Sequence, residues 1–376
     1  MGRMKLLHVV SGTAVLAGAI AAATAAGPAA PTNPLRVSIS SFDSGIAALG
    51  ADAGALQGAV EIAVTNTSRR TVRLPKWQLP TEELDANLFE VSVDGAKVDY
   101  QGPMIKRGAP QAADFAILRP GETYRVVVDL ASAYDLSKAG DYTVTYNAPL
   151  QFASTDDRKM LNQNNGLPMS ARSAPLRMWV DGGATLDAAQ RVSAKAKPVG
   201  PTQVVNGVNY VGCTSSRITT AGQAVNSARS YSENAKGYLN GGTVGARYTT
   251  WFGAYTSSRY STARQHFVSI DAAMDQNNGQ ITINCGCTSS AYAYVYPNQP
   301  YQIYVCKAFW NAPLTGTDSK AGTLIHEMSH FNAVAGTDDH VYGQSGAKNL
   351  AISNPANALD NADNHEYFAE NTPFQN

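Results

Sequence analysis

The sequence predicts two domains of different class: an N-terminal all-β, immunoglobulin-like sandwich over residues 35–182 and an α+β, mainly helical domain over residues 209–376. Three observations carry this. Between Leu35 and about Val180 apolar residues alternate with polar ones, the period of a half-buried strand. Past Gly182 the composition shifts, and from Ile218 apolar residues recur at helical spacing. All four cysteines, Cys213, Cys285, Cys287 and Cys306, fall in the second half. A chain of 376 residues is long enough to bury a core in each part.

The chain opens with Arg3 and Lys5 ahead of an apolar run from Leu6 to about Ala23, closed by the small residues Ala23-Thr24-Ala25-Ala26. That layout predicts a signal peptide over residues 1–26 and a secreted, extracellular protein. No cysteine follows to carry a lipid anchor, and no other stretch is apolar enough to span a bilayer. The 29 basic and 29 acidic residues cancel, so nothing in the totals points to nucleic acid or to an anionic membrane as partner.

Strands are predicted at Arg36-Val37-Ser38-Ile39-Ser40, Ala59-Val60-Glu61-Ile62-Ala63-Val64, Leu88-Phe89-Glu90-Val91-Ser92-Val93, Tyr124-Arg125-Val126-Val127-Val128 and Tyr142-Thr143-Val144-Thr145-Tyr146. Turn signals such as Asp94-Gly95 and Pro120-Gly121 stand between them, and several short strands of this kind favour a sandwich. Glu82-Glu83 and Asp156-Asp157 read as solvated loop charges. With no catalytic cluster of its own, this half is expected to be a prodomain that assists folding and covers the cleft of the second domain.

Residues 183–208 read as a linker with maturation sites, its Ser193-to-Thr202 stretch exposed and protease-sensitive. Lys195 and Lys197 are candidate self-processing sites there. Thr214 or Ser215 caps a first helix whose apolar positions run from Ile218 to Tyr238 and which stops at Gly241-Gly242. A second helix is predicted over about Ser258 to Met274, with His266 a packing or surface residue. Short strands follow around 281–283, 291–296 and 302–305, one of which can bind a substrate backbone by strand addition. Further helices are expected after Asp318 or Ser319, over Ser345 to Ile352, and from Asn361 to Glu370.

The helix expected after Asp318 or Ser319 carries His326-Glu327-Met328-Ser329-His330. On a helix His326 and His330 lie one turn apart on one face and can hold a single Zn²⁺, with Glu327 placed to work on a water held there. A hydrolytic zinc site takes three protein ligands, and the Gly336-Thr337 pair can turn the chain back to bring Asp338 or Asp339 to the histidines. Asp363 and Glu366, three apart on a helix, share a face. Two clustered carboxylates are costly to keep ionised unless a cation sits between them.

His-Glu-x-x-His followed by Gly-Thr-x-Asp-x-x-Tyr-Gly resembles the aspzincin metallopeptidases, the group of deuterolysin and the peptidyl-Lys metalloendopeptidases. The likeness extends over about Tyr210 to Asn376, through Arg247-Tyr248-Thr249-Thr250-Trp251-Phe252-Gly253, Cys285-x-Cys287, Ala308-Phe309-Trp310 and Asn361-Ala362-Asp363-Asn364-His365-Glu366-Tyr367-Phe368, which look like the peptidyl-Lys branch. It implies a zincin-type metalloprotease domain binding one Zn²⁺ through His326, His330 and Asp339. Glu327 would then be the general base and Tyr342 the donor to the oxyanion. It also implies an acidic pocket of Asp363 and Glu366 for the lysine on whose amino side the chain cuts. An even cysteine count in an exported chain suggests two disulfides, and Cys285 and Cys287 are too close to pair with each other, which leaves two connectivities; the resemblance favours Cys213 with Cys285 and Cys287 with Cys306.

The expectation is a secreted zinc metalloendopeptidase acting on X-Lys bonds, whose partners are lysine-containing proteins or peptides and its own N-terminal domain. The alternatives are a broader, deuterolysin-like endopeptidase and a non-catalytic zinc-containing binding protein. His340, beside Asp339, could be offered as a third ligand but occupies a variable position of the pattern, and His365 reads as structural or pocket-lining.

Overall fold

The protein is described here from a computed structural model covering residues 32–42, 58–82, 84–182 and 201–376. The predicted signal peptide, Lys195, Lys197 and Glu83 lie outside the described residues. The N-terminal region carries β1 (Leu35–Ser41), β2 (Ala59–Asn66), β3 (Val72–Pro75), β4 (Phe89–Val93), β5 (Ala96–Val98), β6 (Met104–Lys106), β7 (Phe115–Leu118), β8 (Thr123–Asp129), β9 (Gly140–Pro149), β10 (Ser154–Thr155), β11 (Ser170–Arg172) and β12 (Leu176–Val180). In β2, Val60, Ile62 and Val64 are fully buried on one face, each worth about 1.5–3 kcal/mol of apolar burial.

The region is β-rich as expected, but the strand pairing does not establish the immunoglobulin-like sandwich. The strands fall into the sheets β1-β2-β8, β10-β3-β7 and β11-β9-β4-β5 with β12 beside β9, while β6 leaves for another sheet. Alternation along a strand reports which face is buried and carries no information on which strand lies alongside.

The second region begins with β13 (Thr202–Val205) and β14 (Val208–Val211), followed by α1 (Ser215–Asn240), α2 (Ala246–Phe252) and α3 (Ser257–Met274). Then come β15 (Thr282–Asn284), β16 (Ala293–Val295), β17 (Gln302–Val305), α4 (Lys307–Asn311), α5 (Lys320–His330), α6 (Gly343–Ser353), α7 (Pro355–Leu359) and α8 (Ala362–Glu370). Residues 202–208, read from sequence as the end of the linker, instead form a β13–β14 hairpin. Its turn is Asn206-Gly207, both at positive φ (49° and 76°), the dipeptide such two-residue turns demand.

The sheet order is β13-β14-β15-β17-β16-β6, so the last strand of the second region's sheet is supplied by the first region. Disulfides Cys213–Cys285 and Cys287–Cys306 tie the ends of β14, β15 and β17 together. Helix α5 starts at Ser319, whose Oγ accepts from Gly322 N at 2.9 Å, and every one of its residues is buried. Gly322 is required by close packing: a Cβ there would lie 2.1 Å from a Glu370 carboxylate oxygen. One continuous apolar cluster runs from Leu35 to Ala369 through both regions.

Candidate active site

Helix α5 ends at His330, six residues before Gly336, and the chain reverses through Phe331 to Gly336, the glycine at φ 61°. Gly336 N and Thr337 N donate back to Phe331 O and Ser329 O at 3.1 Å each. The loop that follows is held from α8's N-terminus: Asn361 Oδ1 accepts from His340 N (2.8 Å) and Val341 N (3.1 Å), and Asp338 N donates to Asp360 O at 2.7 Å. Asn361 is fully buried, and nothing in the sequence marks it for this task.

That scaffold brings three atoms together. His326 Nε2 lies 3.1 Å from His330 Nε2, and Asp339 Oδ1 lies 3.3 and 3.5 Å from them. His330 Nδ1 donates to Thr337 O at 2.7 Å, and His326 Nδ1 faces Asp363 Oδ1 at 2.8 Å. The carbonyl against His330 Nδ1 and the carboxylate beside His326 Nδ1 favour the proton on Nδ1 of each ring, which leaves two Nε2 lone pairs aimed at one point. Two lone pairs and a carboxylate oxygen without a hydrogen-bond partner among the described residues are a donor set for a cation. Tetrahedral zinc with bonds of about 2.0–2.1 Å separates its ligands by roughly 3.3 Å, so the residues present fit the ion.

Glu327 is fully buried with neither carboxylate oxygen hydrogen-bonded, and burial pushes it up to about 8. Tyr342 OH lies 3.0 Å from Asp339 Oδ2 and 3.0 Å from the main-chain oxygen of Ile105, a residue of β6. Asp363 and Glu366 stand on the other side of His326, and between them lies the ammonium of Lys106, 2 % exposed. Its Nζ is 3.3 Å from Asp363 Oδ1, hydrogen-bonded to Glu366 Oε2 and 3.9 Å from Asp318 Oδ1. Burial opposes the charge on Lys106, but Asp363, Glu366 and Asp318 outweigh it and hold its pKa well above the usual lysine value. Tyr292 and Tyr367 present their ring faces to Nζ at 5.3 and 6.0 Å, and Tyr367 OH donates to Asp318 at 2.6 Å.

The other candidates lie elsewhere. Asp338 accepts from Asn87 Nδ2 at 3.1 Å, and His340 turns away to Asp360 at 2.9 Å. His365 is buried against Phe252 and Phe267 and hydrogen-bonds His266 at 3.0 Å, outside the cluster. Asp318, read from sequence only as a possible cap, lines the lysine's pocket, while Ser319 makes the cap. Lys106 carried no sequence signal, since a lysine in Met104-Ile105-Lys106 reads as the polar position of a strand.

An extracellular protease of Aeromonas hydrophila is 44% identical over 319 residues, 84% of this chain and 89% of its own length. Residues 239–370 match the aspzincin family profile, described as lysine-specific metallo-endopeptidase. The chain belongs to the aspzincin family. A peptidyl-Lys metalloendopeptidase of Grifola frondosa is 37% identical over 83% of this chain and 87% of its own. Another, from Pleurotus ostreatus, is 52% identical over 166 residues, 44% of this chain but 97% of its own, so this aspzincin has relatives much shorter than itself. It is a zinc metalloendopeptidase, and among its described residues no helix is long and apolar enough to cross a membrane.

Proposed function

We propose that the chain is a secreted endopeptidase that hydrolyses bonds on the amino side of lysine, with zinc held by His326, His330 and Asp339. The observation that carries the lysine reading is Lys106, whose ammonium is taken almost completely out of water between Asp363 and Glu366, beside the histidines. A buried ammonium needs such partners, and no neutral side chain of that length would satisfy two carboxylates there. The names of the Grifola, Pleurotus and Aeromonas relatives support lysine choice and export.

Bound zinc supplies Lewis acidity that polarises the scissile carbonyl and acidifies water. Glu327, with both oxygens free of other partners, takes the proton of the attacking water and returns it to the leaving amine. Tyr342 reaches the carbonyl oxygen with its phenol proton, and Asp363 with Glu366 and Asp318 fix the register by gripping the lysine that follows the cleaved bond. The N-terminal region is the prodomain and the residues from about 201 onward are the catalytic part.

Digestion of a denatured protein mixture with the secreted, processed protein tests this by mass spectrometry of the new N-termini. These are expected to be overwhelmingly lysine and to vanish with a chelator. Metal-dependent cleavage scattered over residue types overturns the lysine reading in favour of a broader, deuterolysin-like enzyme.

A further inference from the structure

We propose that Met104-Ile105-Lys106 is a substrate mimic built into the chain, seated in the cleft as a lysine peptide would be and closing the intact protein to such peptides. The proposal rests on the lysine pocket described above. Three features meet on these residues. Their backbone adds to the sheet as β6, antiparallel to the edge strand β16, pairing Met104 with Val295, Ile105 with Tyr294 and Lys106 with Ala293. Tyr292 N donates to Lys106 O at 3.0 Å. The Ile105 carbonyl, on the amino side of a lysine, meets the Tyr342 hydroxyl at 3.0 Å. The lysine that follows it fills the acidic pocket, and every acidic partner of its ammonium comes from the second region. Among its described residues the N-terminal region therefore has no partner of its own for this buried charge, and the desolvation it costs is offset in the cleft.

The segment is held by more than its own contacts. Gln151 clasps the backbone of Tyr342 from the N-terminal side, accepting from its N–H at 2.8 Å and donating to its carbonyl at 2.6 Å. Asn87, steadied by Tyr134 OH at 2.9 Å, donates to Asp338 beside the metal-site loop. The pairs β2–β8, β3–β7 and β4–β9 join chain before the Ile105–Lys106 bond to chain after it. The seat of the plug thus survives even if that bond is broken, so that the grip on Lys106, and not the continuity of the chain, keeps the cleft closed.

The test measures peptide binding, not turnover. Full-length zinc-loaded protein carrying Glu327→Ala, with and without Lys106→Ala, is titrated against a short fluorescein-labelled peptide containing one central lysine, and against its norleucine counterpart, by fluorescence anisotropy. Because a closed cleft lowers apparent affinity by the open fraction, Lys106→Ala is expected to bind the lysine peptide at least about tenfold more tightly than the Lys106 protein. Equal affinity of the two proteins overturns the plug. Tight binding of both peptides by the Lys106→Ala protein upholds the plug and overturns the lysine pocket, so the two readings fail separately. If thermal unfolding shows that Lys106→Ala does not fold, Lys106→Met, which keeps the stem and loses the ammonium, carries the same expectation.

Discussion

On the Nε2 side of His326, two imidazole lone pairs and one carboxylate oxygen converge within 3.1–3.5 Å, and Asp339 Oδ1 and Glu327 find no hydrogen-bond donor among the described residues. On the Nδ1 side, Asp318, Asp363 and Glu366 surround an ammonium. The two clusters share a histidine and differ in donor chemistry. Mixed nitrogen and oxygen donors at that separation suit an ion with bonds near 2 Å, whereas an all-oxygen set suits an N–H donor on a long stem. The difference teaches that one side is arranged for a metal and the other for a side chain, and that the chain itself supplies the second.

The sharpest way to break this division is Glu327→Ala. If Glu327 moves protons and does not bind the metal, kcat falls by about 10²–10⁴-fold while zinc content stays at one per chain by atomic absorption. Loss of zinc along with activity would merge Glu327 into the metal cluster. Glu366→Gln probes the other side. Removing one partner of a buried charge pair costs about 2–5 kcal/mol, so kcat/KM for lysine peptides falls accordingly while that for norleucine peptides changes little. A uniform drop for both would mean that Glu366 serves His326 and not the substrate.

A histidine belonging to neither cluster gives the smallest effect and a control. Burial drives His365 down to about 3, from 6.5 in the unfolded chain. Below pH 6.5 the unfolded state binds a proton that the folded state refuses, so this stability is present above pH 6.5 and is lost as the pH falls towards 3. At pH 5 the loss is about 2 kcal/mol, at roughly 1.4 kcal/mol per unit. In His365→Phe the stability difference between pH 7 and pH 5, from urea unfolding, is expected to shrink by about that amount. An unchanged difference would assign the acid sensitivity to other groups.

Local spacing was enough to put His326 and His330 on one face of a capped helix, because a period of 3.6 is a property of the backbone and Ser319 sits where a cap belongs. Asp363 and Glu366 were legible on the same ground. Asn206-Gly207 is a hairpin signal on the same local ground, although the Lys, Pro and Gly that precede it give the composition of an exposed linker. Asn361 and Asp318 were not legible, since their roles depend on where two loops meet.

The residues therefore dictated helix faces, caps and the kinds of ligand available, all of which follow from neighbours within a few positions. Folding alone decided which strand lies on the edge of the second sheet and which cation enters the acidic pocket. Lys106 meets Asp363 and Glu366 across 257 and 260 residues. No periodicity reaches that far, because a strand's alternation says which side is buried while its partner is chosen by pairing and charge across the whole fold.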